Sequence, residues 1–317
     1  MGKHDTHFTS PSAIATDLNT DHLTVHWAHG GLSRFHYQWL SDNCRSDQRF
    51  DINTRELRSF SYQHVMNDPH TAAAMIADFQ RFGLVQMIDV PTEQGEVERF
   101  AEHLAHVREI AFDRVANIRV SVDPYTLGFT KAALPLHTDC SGYSWPPNVM
   151  VFHCLQNDVA GGASQYVDGA QVVAQLRDEN PEALEVLTTH DVEFRLWSGK
   201  ADTLSQFPPV ILNNAGELVI LRYANWTVQP LRTVPFDLVP QWYDAWRALA
   251  ARVNAPENRL SYWCEPGEIL LINNHRVLHG RDAFGDGEGV RHFQQVYMEL
   301  DDLAGYQRIV GGQGGAR

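Results

Sequence analysis

Leu136-His137-Thr138-Asp139 and, far downstream, Asn274-His275-Arg276-Val277-Leu278-His279-Gly280-Arg281 are the two stretches from which the chain can be read. His137 and Asp139 are two residues apart, and on a β-strand that spacing points both side chains to one face. If a second strand brings in another imidazole, two histidines and one carboxylate can share one side of a metal ion. The opposite coordination positions then stay open, an arrangement that suits Fe(II). His279 is the expected third ligand. By itself the His-x-Asp pair is a weak signal, because the chain has 16 histidines and chance pairs are common. A surface pair is an equally good reading until the wider context is weighed.

Short apolar runs surround the first stretch. Val149-Met150-Val151-Phe152-His153-Cys154-Leu155 reads as a buried strand, and Ala163 to Val167 as another. Further strands are expected at Val192–Trp197, Val210–Leu212, Leu218–Tyr223, Leu260–Trp263, Ile269–Ile272 and His292–Glu299. Helices are expected at 70–82, ended by Gly83, at 97–107, at 169–189 with Pro181 as a helix starter, and at 236–253. Upstream, Leu23–Trp27 and Phe35–Leu40 read as a hairpin, and a third strand is expected around Leu57 to Tyr62. Residues 1–18 are polar and read as loose. Many short strands with turn punctuation and a few helices argue for a mainly β fold with flanking helices. The expected core is two packed sheets of jelly-roll type, a double-stranded β-helix. The expected domains are a small β-rich N-terminal module (1–66), the jelly-roll domain (67–310) and a flexible tail (311–317).

Composition excludes several functions. A formal charge of −14 and the lack of a Lys/Arg-rich run speak against a nucleic-acid partner. No segment approaches a membrane span, and Met1–His7 does not open a signal peptide. The four cysteines, Cys44, Cys140, Cys154 and Cys264, form no CxxC pair. That argues against a disulfide scaffold and for a reducing cytoplasm.

Two more residues bear on the metal reading. Arg291 lies twelve residues beyond His279 on the next expected strand, and a guanidinium suits a carboxylate. Ser164, in Gly161-Gly162-Ala163-Ser164, can offer a hydroxyl to the same carboxylate. A solvated strand charge and a turn residue are the plainer readings of the two.

The ordered set His137-x-Asp139, Gly-Gly-x-Ser164, His279-Gly-Arg281 and Arg291 resembles the taurine dioxygenase superfamily of Fe(II)/2-oxoglutarate enzymes. It is most similar to the γ-butyrobetaine hydroxylase branch. The likeness runs through Pro146-Pro147, Phe152-His153-Cys154-Leu155, Val167-Asp168-Gly169, Asn274-x-Arg276 and Arg291-His292. It also takes in Phe35-His36-Tyr37-x-Trp39-Leu40-x-Asp42-Asn43-Cys44. The resemblance implies that His137, Asp139 and His279 hold Fe(II), and that Arg291, helped by Ser164, grips the far carboxylate of 2-oxoglutarate. It implies O2-dependent hydroxylation of an unactivated C–H of a small molecule, with decarboxylation of 2-oxoglutarate to succinate and CO2. An amino acid derivative, a betaine or a specialised metabolite is the expected substrate. True γ-butyrobetaine hydroxylation and a catalytically silent binding protein are the alternatives. A homodimer is the assembly the relatives suggest.

Phe129, Tyr143, Asn225, Trp226 and Tyr297 are the substrate-contacting candidates, and His275 is expected to be structural. The stretch Val115–Val120 lacks the aromatics of the butyrobetaine enzymes' cation cage, and Arg119 would repel a cation if it faced the pocket. After Cys44 the zinc cysteines of that branch are missing, so no structural zinc is expected.

Overall fold

The computed structural model describes residues 13–28, 30–37, 39–40, 57–111, 113–120, 127–198, 201–285 and 289–312. The chain divides into two compact units, residues 1–49 and 50–317. The first unit holds a three-stranded antiparallel sheet ordered Ala13–Leu18, His22–Trp27, Leu32–His36. The expected hairpin is its second and third strands, but the third runs Leu32–His36 rather than Phe35–Leu40, starting just after the Gly31 turn. The first strand falls where the sequence reads as loose. A tight turn closed by the Asn19 amide on the His22 carbonyl, 3.0 Å, returns these residues alongside 22–27. Pairing through backbone groups needs no apolar alternation, so composition gave no sign of it. Cys44 and the zinc expectation lie outside the described residues.

In the second unit two sheets carry the architecture. One has six strands, ordered Arg58–Ser61, Leu84–Ile88, Glu268–Asn273, Val149–Asn157, Arg291–Met298 and Ala116–Ile118. The other has four, ordered Arg259–Tyr262, Ser164–Asp168, Val277–Arg281 and Leu134–His137. All neighbours are antiparallel except Arg58–Ser61, which runs parallel to Leu84–Ile88. That strand therefore joins the large sheet rather than the N-terminal strands. The mainly β, jelly-roll class with flanking helices is the one expected.

The unbroken apolar runs follow from burial on both faces. In Val149–Asn157, Val149 and Val151 pack toward helices, while Met150 and Cys154 face the space between the sheets. In Glu268–Asn273, Ile269 and Leu271 take the helical side, Leu270 and Ile272 the inner one. Each such fully buried side chain contributes about 1.5–3 kcal/mol. The helices Tyr62–Asn67, Pro69–Phe82, Glu96–Leu104 and Leu300–Val310 cover the six-stranded sheet. Gly169–Glu179, Pro181–Thr189 and Val239–Val253 cover the four-stranded one.

Local chemistry sets the helix limits. Asp68 accepts from the amides of His70 and Thr71, each at 3.1 Å, and Gly83 ends that helix at φ 73°. The helices expected in 169–189 are two, and Pro181 starts the second as expected, with Asn180 capping it through the Ala183 amide. The expected 97–107 helix stops at Leu104 because Ala105 is extended. The strand Asp202–Phe207, paired with Val192–Trp197, and the helices Tyr62–Asn67 and Leu300–Val310 also go beyond the sequence reading. Among the described residues no helix is long and apolar enough to cross a membrane.

Candidate metal centre and active-site cavity

His137 is the last residue of its strand, and Asp139 lies in the turn beyond it. The shared-face argument from alternation therefore does not apply; the turn does the work instead. Asn274 holds the Asp139 backbone, and Cys140 takes a left-handed φ of 60°. Thr138 is fixed to Tyr223 in both directions: its amide donates to the Tyr223 carbonyl at 2.8 Å, and its hydroxyl accepts from the Tyr223 amide at 3.0 Å. The neighbouring strand brings His279 directly opposite His137. Gly280 permits this, since a Cβ there would sit 2.7 Å from the Leu134 carbonyl oxygen.

The side chains of His137, Asp139 and His279 each offer a ligand atom, all within 4.8 Å of one another. The two imidazole centroids are 4.3 Å apart. His137 Nδ1 is 2.9 Å from the Pro135 carbonyl, which can only accept, so Nδ1 carries the hydrogen. Nε2 of His137 lies 3.2 Å from Asp139 Oδ1. At that distance a proton or a metal cation lies between the two atoms. His279 Nε2 approaches Asp139 Oδ2 at 3.7 Å. The donor set, two imidazoles and one carboxylate, thus fits a divalent metal such as Fe(II). Burial would raise the Asp139 carboxyl, but the His279 and His137 imidazoles override it and hold the group well below the usual carboxylate range. Burial and the neighbouring His137 push His279 down, toward the neutral form that ligates a metal.

These three residues line a cavity of about 570 Å³, within the range for a small-molecule site. Arg291 and Ser164 line the same cavity. Burial, with the Arg281 charge nearby, lowers Arg291 to about 10. Its Nε has no hydrogen-bond partner, and its guanidinium carbon lies 4.1 Å from the Phe293 ring centroid. Among the described residues no carboxylate pairs with Arg291 or Arg281. A buried guanidinium without a counterion calls for an anionic ligand.

Of the substrate candidates, Phe129, Trp226 and Tyr297 line the cavity. Trp226 lies against His137, ring centroids 5.1 Å apart. Tyr143 and Asn225 are not among the lining residues. The Tyr143 hydroxyl accepts from the Ala111 amide, and the Asn225 amide oxygen accepts from Trp246 Nε1 at 2.9 Å. His275 sits apart from the metal ligands; its Nε2 donates to the Pro146 carbonyl at 2.8 Å, and burial lowers it to about 4. Arg119 is not among the lining residues either; its charge acts on His292.

Several functional contacts escaped the sequence reading. Gln295 and Tyr297 donate to Asp139 Oδ2. Arg281, opposite Ser164 in the sheet, donates to the carbonyls of Thr130 and Ala132 and so fastens the wall that carries Phe129. Trp197, Leu196 and Asp113 complete the mouth. Tyr297 is expected from the resemblance only as a substrate contact, and period-two spacing from Arg291 is the one signal that could have found Gln295.

The profile described as "Taurine catabolism dioxygenase TauD, TfdA family" matches residues 47–297. The chain is 32% identical over 293 residues to a γ-butyrobetaine dioxygenase of Pseudomonas sp. (strain AK-1), covering 89% of this chain and 76% of that one. It is 28% identical over 318 residues to the mitochondrial trimethyllysine dioxygenase of Rattus norvegicus, covering 95% and 74%. Among solved structures, a taurine dioxygenase from Burkholderia xenovorans superposes with a TM-score of 0.57 at 16% identity over 73% of this chain and 82% of that one. An asparagine oxygenase in complex with Fe(II), 2S,3S-3-hydroxyasparagine and succinate gives 0.59 at 16% identity over 75% and 83%. With a family match spanning most of its length and a jelly-roll core that brings the expected ligands together, this chain belongs to the TauD/TfdA family and is a non-haem Fe(II)/2-oxoglutarate-dependent dioxygenase.

Proposed function

We propose that His137, Asp139 and His279 hold the Fe(II) of this dioxygenase, that Arg291 and Ser164 hold the distal carboxylate of 2-oxoglutarate, and that the rest of the cavity positions a small molecule for hydroxylation. The observation that carries this reading is the coincidence, in one cavity, of three converging ligand atoms and a buried guanidinium without a counterion. With O2 as the oxidant, Fe(II) and 2-oxoglutarate would supply the chemistry: one oxygen atom goes into succinate as 2-oxoglutarate loses CO2, and the other goes into the C–H bond of the substrate.

The chain's own residues do the rest. Pro135 sets the His137 tautomer, Gly280 lets the two histidines approach, and Arg281 fixes the 130–132 wall. Ile110, Ile118, Leu127 and Leu196 present apolar surface that excludes water from the reacting C–H.

The mouth carries Phe129, Trp197 and Trp226, and Asp113 is the charged lining residue away from the metal and the two arginines among the described residues. Aromatic faces beside a carboxylate suit an amine or betaine with an aliphatic body. The named activities of the γ-butyrobetaine and trimethyllysine relatives accord with such a substrate. Ala116 and Ile118 make one wall aliphatic, so an amino acid derivative of lower methylation fits as well. Cytoplasmic location and a homodimer complete the proposal; size-exclusion chromatography with light scattering tests the latter.

The experiment is substrate-stimulated succinate release with Fe(II), ascorbate and a panel of γ-butyrobetaine, Nε-trimethyllysine, their unmethylated analogues and free amino acids. The reading expects stimulation by at least one ammonium-bearing member and none in His137→Ala. Stimulation confined to anionic or neutral compounds counts against the substrate assignment.

A further inference from the structure

We infer that Tyr297 and Gln295 are positioning residues for the metal-binding carboxylate, holding Asp139 by Oδ2 so that Oδ1 is presented to the metal. The inference rests on the proposed role of Asp139 as a ligand.

The strand Arg291–Met298 turns alternate residues inward. Arg291, Gln295 and Tyr297 line the cavity, and Phe293 packs between the sheets, while Val296 and Met298 pack into the helical layer. The Tyr297 hydroxyl donates to Asp139 Oδ2 at 2.7 Å, and Gln295 Nε2 donates to the same oxygen at 3.1 Å. A carboxylate only accepts, so the Gln295 amide must present its nitrogen here. Both donors are buried residues on a central strand of the large sheet, so they do not yield as a loop would.

Asp139 itself has no such support from its own element. It lies in the turn beyond the strand that carries His137, and its side chain would otherwise have two carboxylate oxygens and free rotation to choose from. With Oδ2 taken by two donors, Oδ1 is left beside His137 Nε2 at 3.2 Å. Both oxygens are thereby accounted for: Oδ2 is anchored in the sheet, with His279 Nε2 3.7 Å away, and Oδ1 faces His137 Nε2. Partners of this kind orient a ligating carboxylate, and losing them typically weakens metal binding. Tyr297 therefore differs from the cation-contacting role that resemblance gives it, because its hydroxyl is committed to the metal side of the cavity. A single strand then serves both ends of the reaction centre, Arg291 at the co-substrate end and Gln295 with Tyr297 at the metal.

The test uses the full chain and Co(II) as a redox-stable probe. Tyr297→Phe, Gln295→Met and the double variant are titrated with Co(II), following affinity and the visible Co(II) spectrum; thermal unfolding of the metal-free proteins checks the fold. The expected result is a loss of Co(II) affinity of about ten- to a hundredfold in the double variant, with an altered Co(II) spectrum. Gln295→Glu, which sets a second carboxylate against Oδ2, should weaken Co(II) binding more than Gln295→Met does. If Tyr297→Phe and Gln295→Met bind Co(II) as the wild type does and raise only the KM for the organic substrate, the two residues are substrate contacts and the inference is overturned. Asp139→Ala separates the two levels. Loss of Co(II) binding there, with wild-type binding in the other variants, removes this inference and leaves the metal site standing. Wild-type binding in Asp139→Ala removes both.

Discussion

Asn274 holds Asp139 by its backbone from both sides: its carboxamide oxygen accepts from the Asp139 amide at 2.7 Å and its nitrogen donates to the Asp139 carbonyl at 3.1 Å. The same nitrogen donates to the Pro147 carbonyl at 2.8 Å, and the side chain is almost wholly buried. One amide thus sets the turn that presents the carboxylate proposed to bind the metal. Asn274→Ala leaves these backbone groups without partners in a closed space, at a cost of about 1–3 kcal/mol. Urea unfolding should show that loss, and Co(II) titration should show weaker binding; unchanged binding would mean that Cys140 and Thr138 hold the turn unaided.

Arg291 is expected to separate stability from function. In the metal-free protein its charge is buried, about 4 Å over the Phe293 ring, without a counterion. Arg291→Met removes an uncompensated charge, so the metal-free protein should unfold at equal or higher urea concentration. The 2-oxoglutarate requirement should rise about tenfold to a hundredfold, from the loss of a charge-assisted contact, with the Fe(II) requirement little changed. Arg291→Lys should not restore it, because a point charge cannot replace a planar fork. Equal rises in both requirements would place Arg291 in the metal site instead.

Gly280 tests the approach of the two metal-bearing strands. A Cβ there meets the Leu134 carbonyl oxygen at 2.7 Å, the Leu136 amide nitrogen at 3.1 Å and the Pro135 carbonyl carbon at 3.2 Å, all of them backbone. No side-chain rotation relieves this. Gly280→Ala should cost about 1–3 kcal/mol and displace the strand that ends in His137. Calorimetry and Co(II) titration of the same variant check both effects, and a variant with wild-type metal affinity would refute the second.

His153 predicts the acid limb of stability. It is fully buried behind the six-stranded sheet, neither ring nitrogen has a partner, and burial, aided by His292, lowers it to about 4. A folded-state value below the unfolded one means that the unfolded chain binds the extra proton between roughly pH 6.5 and 4. Stability is therefore fully present above that window and falls as pH drops through it, by roughly 3 kcal/mol at most from this group. His153→Leu should flatten the decline between pH 7 and 5 in urea titrations. An unchanged slope would assign the acid limb to His275, which burial also lowers to about 4.

The sequence made the layers and the metal ligands readable for different reasons. Runs such as Val149–Leu155 announce a strand buried on both faces, and Gly83 and Pro181 announce helix limits, because these signals are local. The candidate ligands stood out through the family resemblance, since the His-x-Asp pair alone left a surface pair equally open. Their geometry was not legible, because Asp139 is placed by a turn held from Asn274, 135 residues away, rather than by strand alternation. The contacts of Gln295 and Tyr297 with Asp139 span 156 and 158 residues, and nothing near either end in the sequence records them. Motif residues without chemistry proved to be scaffold. Arg276 forks onto Asp168 at 2.8 and 2.7 Å, and Asp168 also caps the helix that follows it. The N-terminal strand Ala13–Leu18 stayed hidden because its backbone pairing needs no apolar alternation.

Anaerobic Fe(II) binding measured at equilibrium, for the wild type and for His137→Ala, Asp139→Ala and His279→Ala, bears most directly on the reaction centre. The account predicts one Fe(II) per wild-type chain, a visible charge-transfer band on adding 2-oxoglutarate, and loss of both in each variant. Full Fe(II) occupancy in His279→Ala, with the band intact, would contradict it.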